Sequence, residues 1–197
     1  MLTFATAVFF LLITPGPGVL SVAGVGSGYG HRAGNRYIAG LFIGTNLVAL
    51  GVISGLAALI LANGLLRNIL LAASLTYLVY LAWKIASAGV RLAFKATTKA
   101  PGIRDGIVLQ ALNPKAYAVN TTLFGGFGFM PDAPFAETLL KLALLNAIWL
   151  PIHFGWLYAG IRIHRMDLAP RLQRRINIAM ALSMLLVVAL ALVAPRQ

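Results

Sequence analysis

Two short runs hold the residue types best suited to chemistry in this chain: Thr14-Pro15-Gly16-Pro17 and Asn113-Pro114-Lys115. Each is set inside an apolar stretch long enough to cross a bilayer. A proline inside a helix removes a backbone donor and displaces the carbonyl four residues earlier, and lipid can satisfy neither freed group. Both breaks are therefore expected to face protein or a water-filled cavity. Lys115 is the one charge near the middle of an apolar span, where an unpaired lysine costs about 2.5 to 3.5 kcal/mol on translocon scales. Its ammonium, the N–H groups freed at Pro114 and the positive end of the half-helix starting there suit a carboxylate. The competing reading is that Lys115 snorkels to the interface or bonds carbonyls freed by the break. Thr14, Pro15, Gly16 and Pro17 would open the opposing half of such a site, or form a structural kink alone.

Further polar residues lie within the apolar segments. Asn113, Tyr117 and Asn120 share a helical face, with Gln110 near it, and Asn146, Trp149, His153 and Trp156 share another. Polar groups in a bilayer turn inward, so these faces are expected to line the interior, although an interfacial aromatic belt explains Trp149 and Trp156 equally well. His153 suits either an interhelical hydrogen bond or proton handling. The four carboxylates, Asp105, Asp132, Glu137 and Asp167, fall in connections or at span ends, and His31, His153 and His164 lack ligand spacing. A metal centre, an acid–base pair and an intramembrane enzyme are all poorly supported.

The elements that must position these residues are transmembrane helices. With 60% hydrophobic residues, 10% charged residues and a mean hydropathy of +0.88, too little polar sequence exists to cover a soluble globule. Apolar runs at 3–24, 37–62, 68–92, 106–130, 142–161 and 176–194 give about six crossings in one membrane domain, 1–197. Its halves would be 1–94 and 106–197, joined by a cytoplasmic linker at 95–105. Basic residues collect at Arg32 and Arg36, at Lys95, Lys99 and Arg104, and at Arg162 through Arg175. The positive-inside rule makes those three connections cytoplasmic and puts both termini outside. With three crossings per half, the two halves, if related, form an inverted repeat, each opening on a proline-broken helix. Pro15 with Pro114, and Asn46 with Asn146, fall at corresponding places.

The net charge of +12 would suggest nucleic acid in a soluble chain. Here the basic residues lie between apolar spans and read as topology signals and contacts to anionic lipid headgroups. Cysteine is absent, which rules out disulfides and thiol chemistry, and no basic segment precedes the first apolar run, so a cleaved signal peptide is not expected. Gly40, Gly44, Gly51, Gly55 and Ala58 form a small-residue ridge for close helix packing, within the monomer in preference to a homodimer. Gly24, Gly26, Gly28 and Gly30 lack the strand and the Gly-Lys-Ser/Thr of a phosphate loop.

Four motifs in order carry a family resemblance: Thr14-Pro15-Gly16-Pro17; Gly30-His31-Arg32-Ala33-Gly34 with Gly40 and Gly44; Tyr77 through Lys84; and Gly106 leading to Leu112-Asn113-Pro114-Lys115-Ala116. Together they resemble the LysE/RhtB family of amino-acid exporters along essentially the whole chain. The resemblance implies a six-helix carrier of the bacterial inner membrane that expels amino acids or their derivatives, with no cofactor. It marks Pro15, Gly16, Pro17, Asn113, Pro114 and Lys115 as site framework. Where the family often has asparagine after Pro-Gly-Pro, this chain has Gly18, and where many members have an acidic residue it has Asn46. The resulting expectation is export by alternating access. Lys115 and the half-helix ends would hold the substrate carboxylate, and Asn46, Asn113 and Asn146 would bond its amine or side chain. No fixed carboxylate is at hand for a second positive charge, which favours a neutral amino acid over lysine or arginine. A carrier for another small anionic or polar solute, or a structural membrane subunit, are the alternatives.

Overall fold

The computed structural model describes residues 1–87, 99–166 and scattered positions between 169 and 182. Most of the expected crossing at 176–194 and the start of the 95–105 linker lie outside the described residues. The helices are α1 (Leu2–Ile13), α2 (Pro17–Ile53), α3 (Leu56–Ala62), α4 (Gly64–Ser87), α5 (Ile103–Leu112), α6 (Pro114–Gly126) and α7 (Pro134–Arg165). All described regular structure is helical. Two helices, α2 and α7, are long and apolar enough on their own to cross a membrane.

Both proline motifs break the chain as expected. Thr14, at φ −57° and ψ 125°, takes the extended conformation that a following proline favours, and α2 restarts with Pro17 in its first turn. Asn113 ends α5 and begins α6 at φ −80° and ψ 107°, with Pro114 in the first turn of α6. The 3–24 span is thus α1 plus the opening of α2, and the 106–130 span is the end of α5 plus α6. The connection expected around Arg32 and Arg36 is a kink in α2 at Gly30, whose φ of 75° is readily available only to glycine.

The glycine ridge works in part. A Cβ at Gly40 would strike the carbonyl of Ile103, and one at Gly44 would lie 2.7 Å from Gln110 Cβ. From the facing helix, a Cβ at Gly106 would sit 2.5 Å from the carbonyl oxygen of Tyr37. Glycines on both sides therefore let α2 and α5 approach backbone to backbone. Gly51 and Gly55 meet nothing within 4 Å, and Gly55 caps α3 at φ 76°. Gly55 falls beyond the end of α2 at Ile53 and leaves its helical face, while Gly51, in the last turn of α2, faces no packed neighbour among the described residues. The start of α2 packs on α7 in the same close manner, with Gly160 against the Ala23 carbonyl.

One buried cluster joins Val22, Tyr37 and Leu41 to Leu109, Trp149 and Leu157. A second joins Phe4 and Val8 to Val119, Leu123 and Leu145. Large apolar side chains such as Leu2, Phe10, Leu47, Leu59, Phe135 and Tyr158 point outward. Such a surface is stable against lipid, not water. At the start of α7, Lys141 Nζ pairs with Glu137 at 2.6 Å between the rings of Phe4 and Phe129, while the other Glu137 oxygen accepts from the N–H groups of Phe129 and Met130. Glu137, expected only to lie in a connection or at a span end, thus pins the 127–130 segment to α7 together with Lys141.

Candidate functional site

The site begins where α1 stops. The Thr14 hydroxyl donates back to the Phe10 carbonyl at 2.6 Å, which leaves the Thr14 carbonyl beyond the end of the helix. That carbonyl accepts a 2.6 Å hydrogen bond from Lys115 Nζ. The charged residue of the second break therefore caps the helix that the first break ends. A cation is favoured at this negative helix end. The same ammonium also lies against the opening of α2, because a Cβ added at Gly16 would be 3.2 Å from Lys115 Nζ and 2.9 Å from Cδ. With φ at −166°, Gly16 is in ordinary extended conformation, so it is required for space. The positive end of α2 and an ammonium converge there, and an anion added between them would be stabilised by both.

A chain of side-chain hydrogen bonds holds Lys115 in register. Asn113 Oδ1 accepts from the Lys115 N–H at 3.1 Å, Asn113 Nδ2 donates to Gln110 Oε1 at 2.9 Å, and Gln110 Nε2 donates to Thr45 Oγ1. Three helices, α2, α5 and α6, are linked by buried residues in this way. Across from it, His153 Nδ1 donates to the Trp149 carbonyl at 2.9 Å and the imidazole stacks on the Trp149 ring at 3.5 Å. A carbonyl can only accept, so Nδ1 carries a proton and Nε2 is left for other partners. Nε2 lies 3.7 Å from the position of a Gly18 Cβ. Trp149 is buried, so its place is interior and not in an interfacial belt, and Trp156 packs half-buried against the same core.

These groups surround one cavity of about 50 Å³. Its lining includes the polar residues Thr14, Thr45, Gln110, Asn113, Lys115, Asn120 and His153, with Gly16, and the apolar residues Leu11, Leu12, Val19, Val119, Leu145 and Trp149. That volume admits a few waters, and a larger solute requires the walls to separate.

Of the residues singled out in the sequence, Thr14, Gly16, Asn113, Lys115 and His153 line this cavity; Pro15, Pro17 and Pro114 shape the breaks around it. Asn46 and Asn146 come together with each other and do not line it. Gly18, Thr45, Gln110, Asn120 and Trp149 join the lining. Gln110 and Asn120 were detectable as neighbours of Asn113 on its helical face; Thr45 had no comparable signal. Tyr117, on that face too, bonds the Ala111 carbonyl at 2.8 Å.

The model of the LysE type translocator family matches residues 9–195, nearly the whole chain. The chain belongs to the LysE type translocator family. Members of this family are translocators and not enzymes. Among similar proteins, the leucine efflux protein of Enterobacter sp. (strain 638) is 30% identical over 132 residues, covering 64% of this chain and 62% of that protein. The leucine efflux protein of Salmonella typhimurium is 28% identical over 130 residues, covering 64% and 61%. The match to these relatives thus spans less than two thirds of their length. No solved structure matches the chain. Family membership and the outward-facing apolar helices make this LysE type translocator a membrane protein.

Proposed function

We propose that this chain is an amino-acid efflux carrier of the bacterial inner membrane, working by alternating access. The observation that carries the reading is the bond from Lys115 to the Thr14 carbonyl. It links the two helix breaks beside a cavity lined by both polar and apolar side chains. Lys115 and the first N–H groups of α2 hold the substrate carboxylate, and the apolar part of the lining takes an uncharged side chain. The name of the similar leucine efflux proteins agrees with such a substrate. Residues 1–94 and 106–197 form two inverted three-helix halves in a six-crossing membrane domain with both termini outside. They rock about the two breaks, and the Asn46–Asn146 pair joins them. His153 is the group best suited to proton coupling, and the basic connections contact anionic headgroups.

The test is efflux from proteoliposomes loaded with labelled leucine, alanine, lysine or lactate. Leucine should leave fastest, lysine and lactate no faster than from protein-free vesicles. Equal rates with and without protein for every amino acid would end this reading.

A further inference from the structure

Among the described residues, one buried acceptor at the cavity is left unused by the fold. Asn120 is 3% exposed and lines the cavity, and its Nδ2 donates to the Ala116 carbonyl at 2.8 Å, while its Oδ1 has no hydrogen-bond partner among the described residues. The Ala116 carbonyl fixes which way the amide points, since a flipped amide would set oxygen against oxygen. The other amides of the neighbourhood are engaged: Asn113 bonds Gln110 and the Lys115 N–H, and Asn46 and Asn146 bond each other. An acceptor at the cavity and unused by the fold is available to a bound donor, which takes the place of water there.

We propose that Asn120 Oδ1 receives the α-ammonium of the substrate and so makes the carrier select amino acids over the corresponding plain carboxylic acids. This inference rests on the efflux reading above and adds the residue that reads the amine. Lys115 and Asn120, both on α6, line the same cavity. An amino acid carries its ammonium and carboxylate about 3 Å apart, so one bound molecule can present each to a different group of that lining. Carbonyl dipoles, and no carboxylate, meet the ammonium. The Gln110 Oε1, which accepts one bond from Asn113 and belongs to the same cavity lining, has a lone pair for a second N–H. A neutral acceptor pair suits one ammonium balanced by the substrate's own carboxylate. The substrate class is then zwitterionic amino acids with a free amine and an apolar side chain.

The experiment is calorimetric binding of leucine and of 4-methylpentanoate, which is leucine without its amine, to the full chain in nanodiscs. The wild type should bind leucine at least tenfold more tightly than the acid. Asn120→Leu, of similar bulk but without the acceptor, should weaken leucine tenfold or more and leave 4-methylpentanoate within twofold. Affinity for the acid thereby reports an intact site. Asn120→Asp, which keeps an acceptor, should retain the leucine preference. An unchanged leucine-to-acid ratio in Asn120→Leu would overturn the role of Asn120 alone, and would leave the efflux reading standing. Wild-type protein that binds neither compound would overturn both.

Discussion

Asn46 and Asn146, 100 positions apart, exchange two amide hydrogen bonds at 3.0 and 2.9 Å, and each also donates to the carbonyl four residues earlier in its own helix, Phe42 and Leu142. Matched surroundings on both sides are what two related halves meeting near a common axis would produce. A reciprocal pair predicts non-additive substitution. Asn46→Ala and Asn146→Ala should each lower the unfolding midpoint in detergent. The double variant should fall short of the sum by about 1 kcal/mol, within the range for interhelical polar pairs in membranes. Strict additivity would mean that the two amides act separately.

Gly16 gives a sharper prediction, because its backbone tolerates any residue and only space forbids one. Gly16→Ala would set a methyl 2.9 Å from Lys115 Cδ. The flexible lysine can move, so the protein should fold with nearly wild-type stability while efflux drops several-fold. Gly51→Ala, with nothing within 4 Å, serves as the neutral control. Equal efflux by both variants would show that the position of Lys115 against α2 is immaterial.

Orientation is open to direct measurement, since the chain has no native cysteine to interfere. Asn35 and Asp132 are both exposed. In intact cells a membrane-impermeant thiol reagent should label Asp132→Cys and spare Asn35→Cys. The opposite pattern would invert the arrangement of the whole domain.

Much of this was legible from residue types. The two breaks, the inward face of Asn113 and Asn120 and the close approach at Gly40 and Gly44 all follow from local rules: proline stereochemistry, helical period and the cost of polar groups in lipid. Three things were not. The register that brings Lys115 to Thr14 and not to its own helix depends on how α6 and α1 meet, which no local pattern encodes. Asn46 and Asn146 carry the same polar signal as Asn120, yet pairing removes them from the cavity while isolation leaves Asn120 in it. The kink at Gly30 replaced an expected loop because one glycine at positive φ was enough to turn the chain.

In the proposed efflux cycle His153 is the coupling group: Nδ1 is tied to Trp149, and Nε2 lies beside Gly18 at the cavity. An imidazole with one fixed nitrogen and one open nitrogen can take up and release a proton without turning. His153→Gln should abolish uphill efflux driven by an imposed pH gradient and leave downhill exchange of substrate within about twofold. The assay compares gradient-driven transport with counterflow in the same proteoliposomes. Wild-type concentrating ability in the Gln variant would make His153 a packing residue.

The most direct test of the account is leucine efflux by Lys115→Met, measured in proteoliposomes at matched protein abundance. Met keeps the apolar stem and removes the charge that meets both the Thr14 carbonyl and the opening of α2. If that charge holds the substrate carboxylate, efflux should fall at least tenfold, a loss of about 1.4 kcal/mol or more, with the fold intact. Arg should restore only part of it, because its planar fork is larger and differently hydrated. Wild-type efflux by Lys115→Met would contradict the account, leaving Lys115 as a cap on α1 and nothing more.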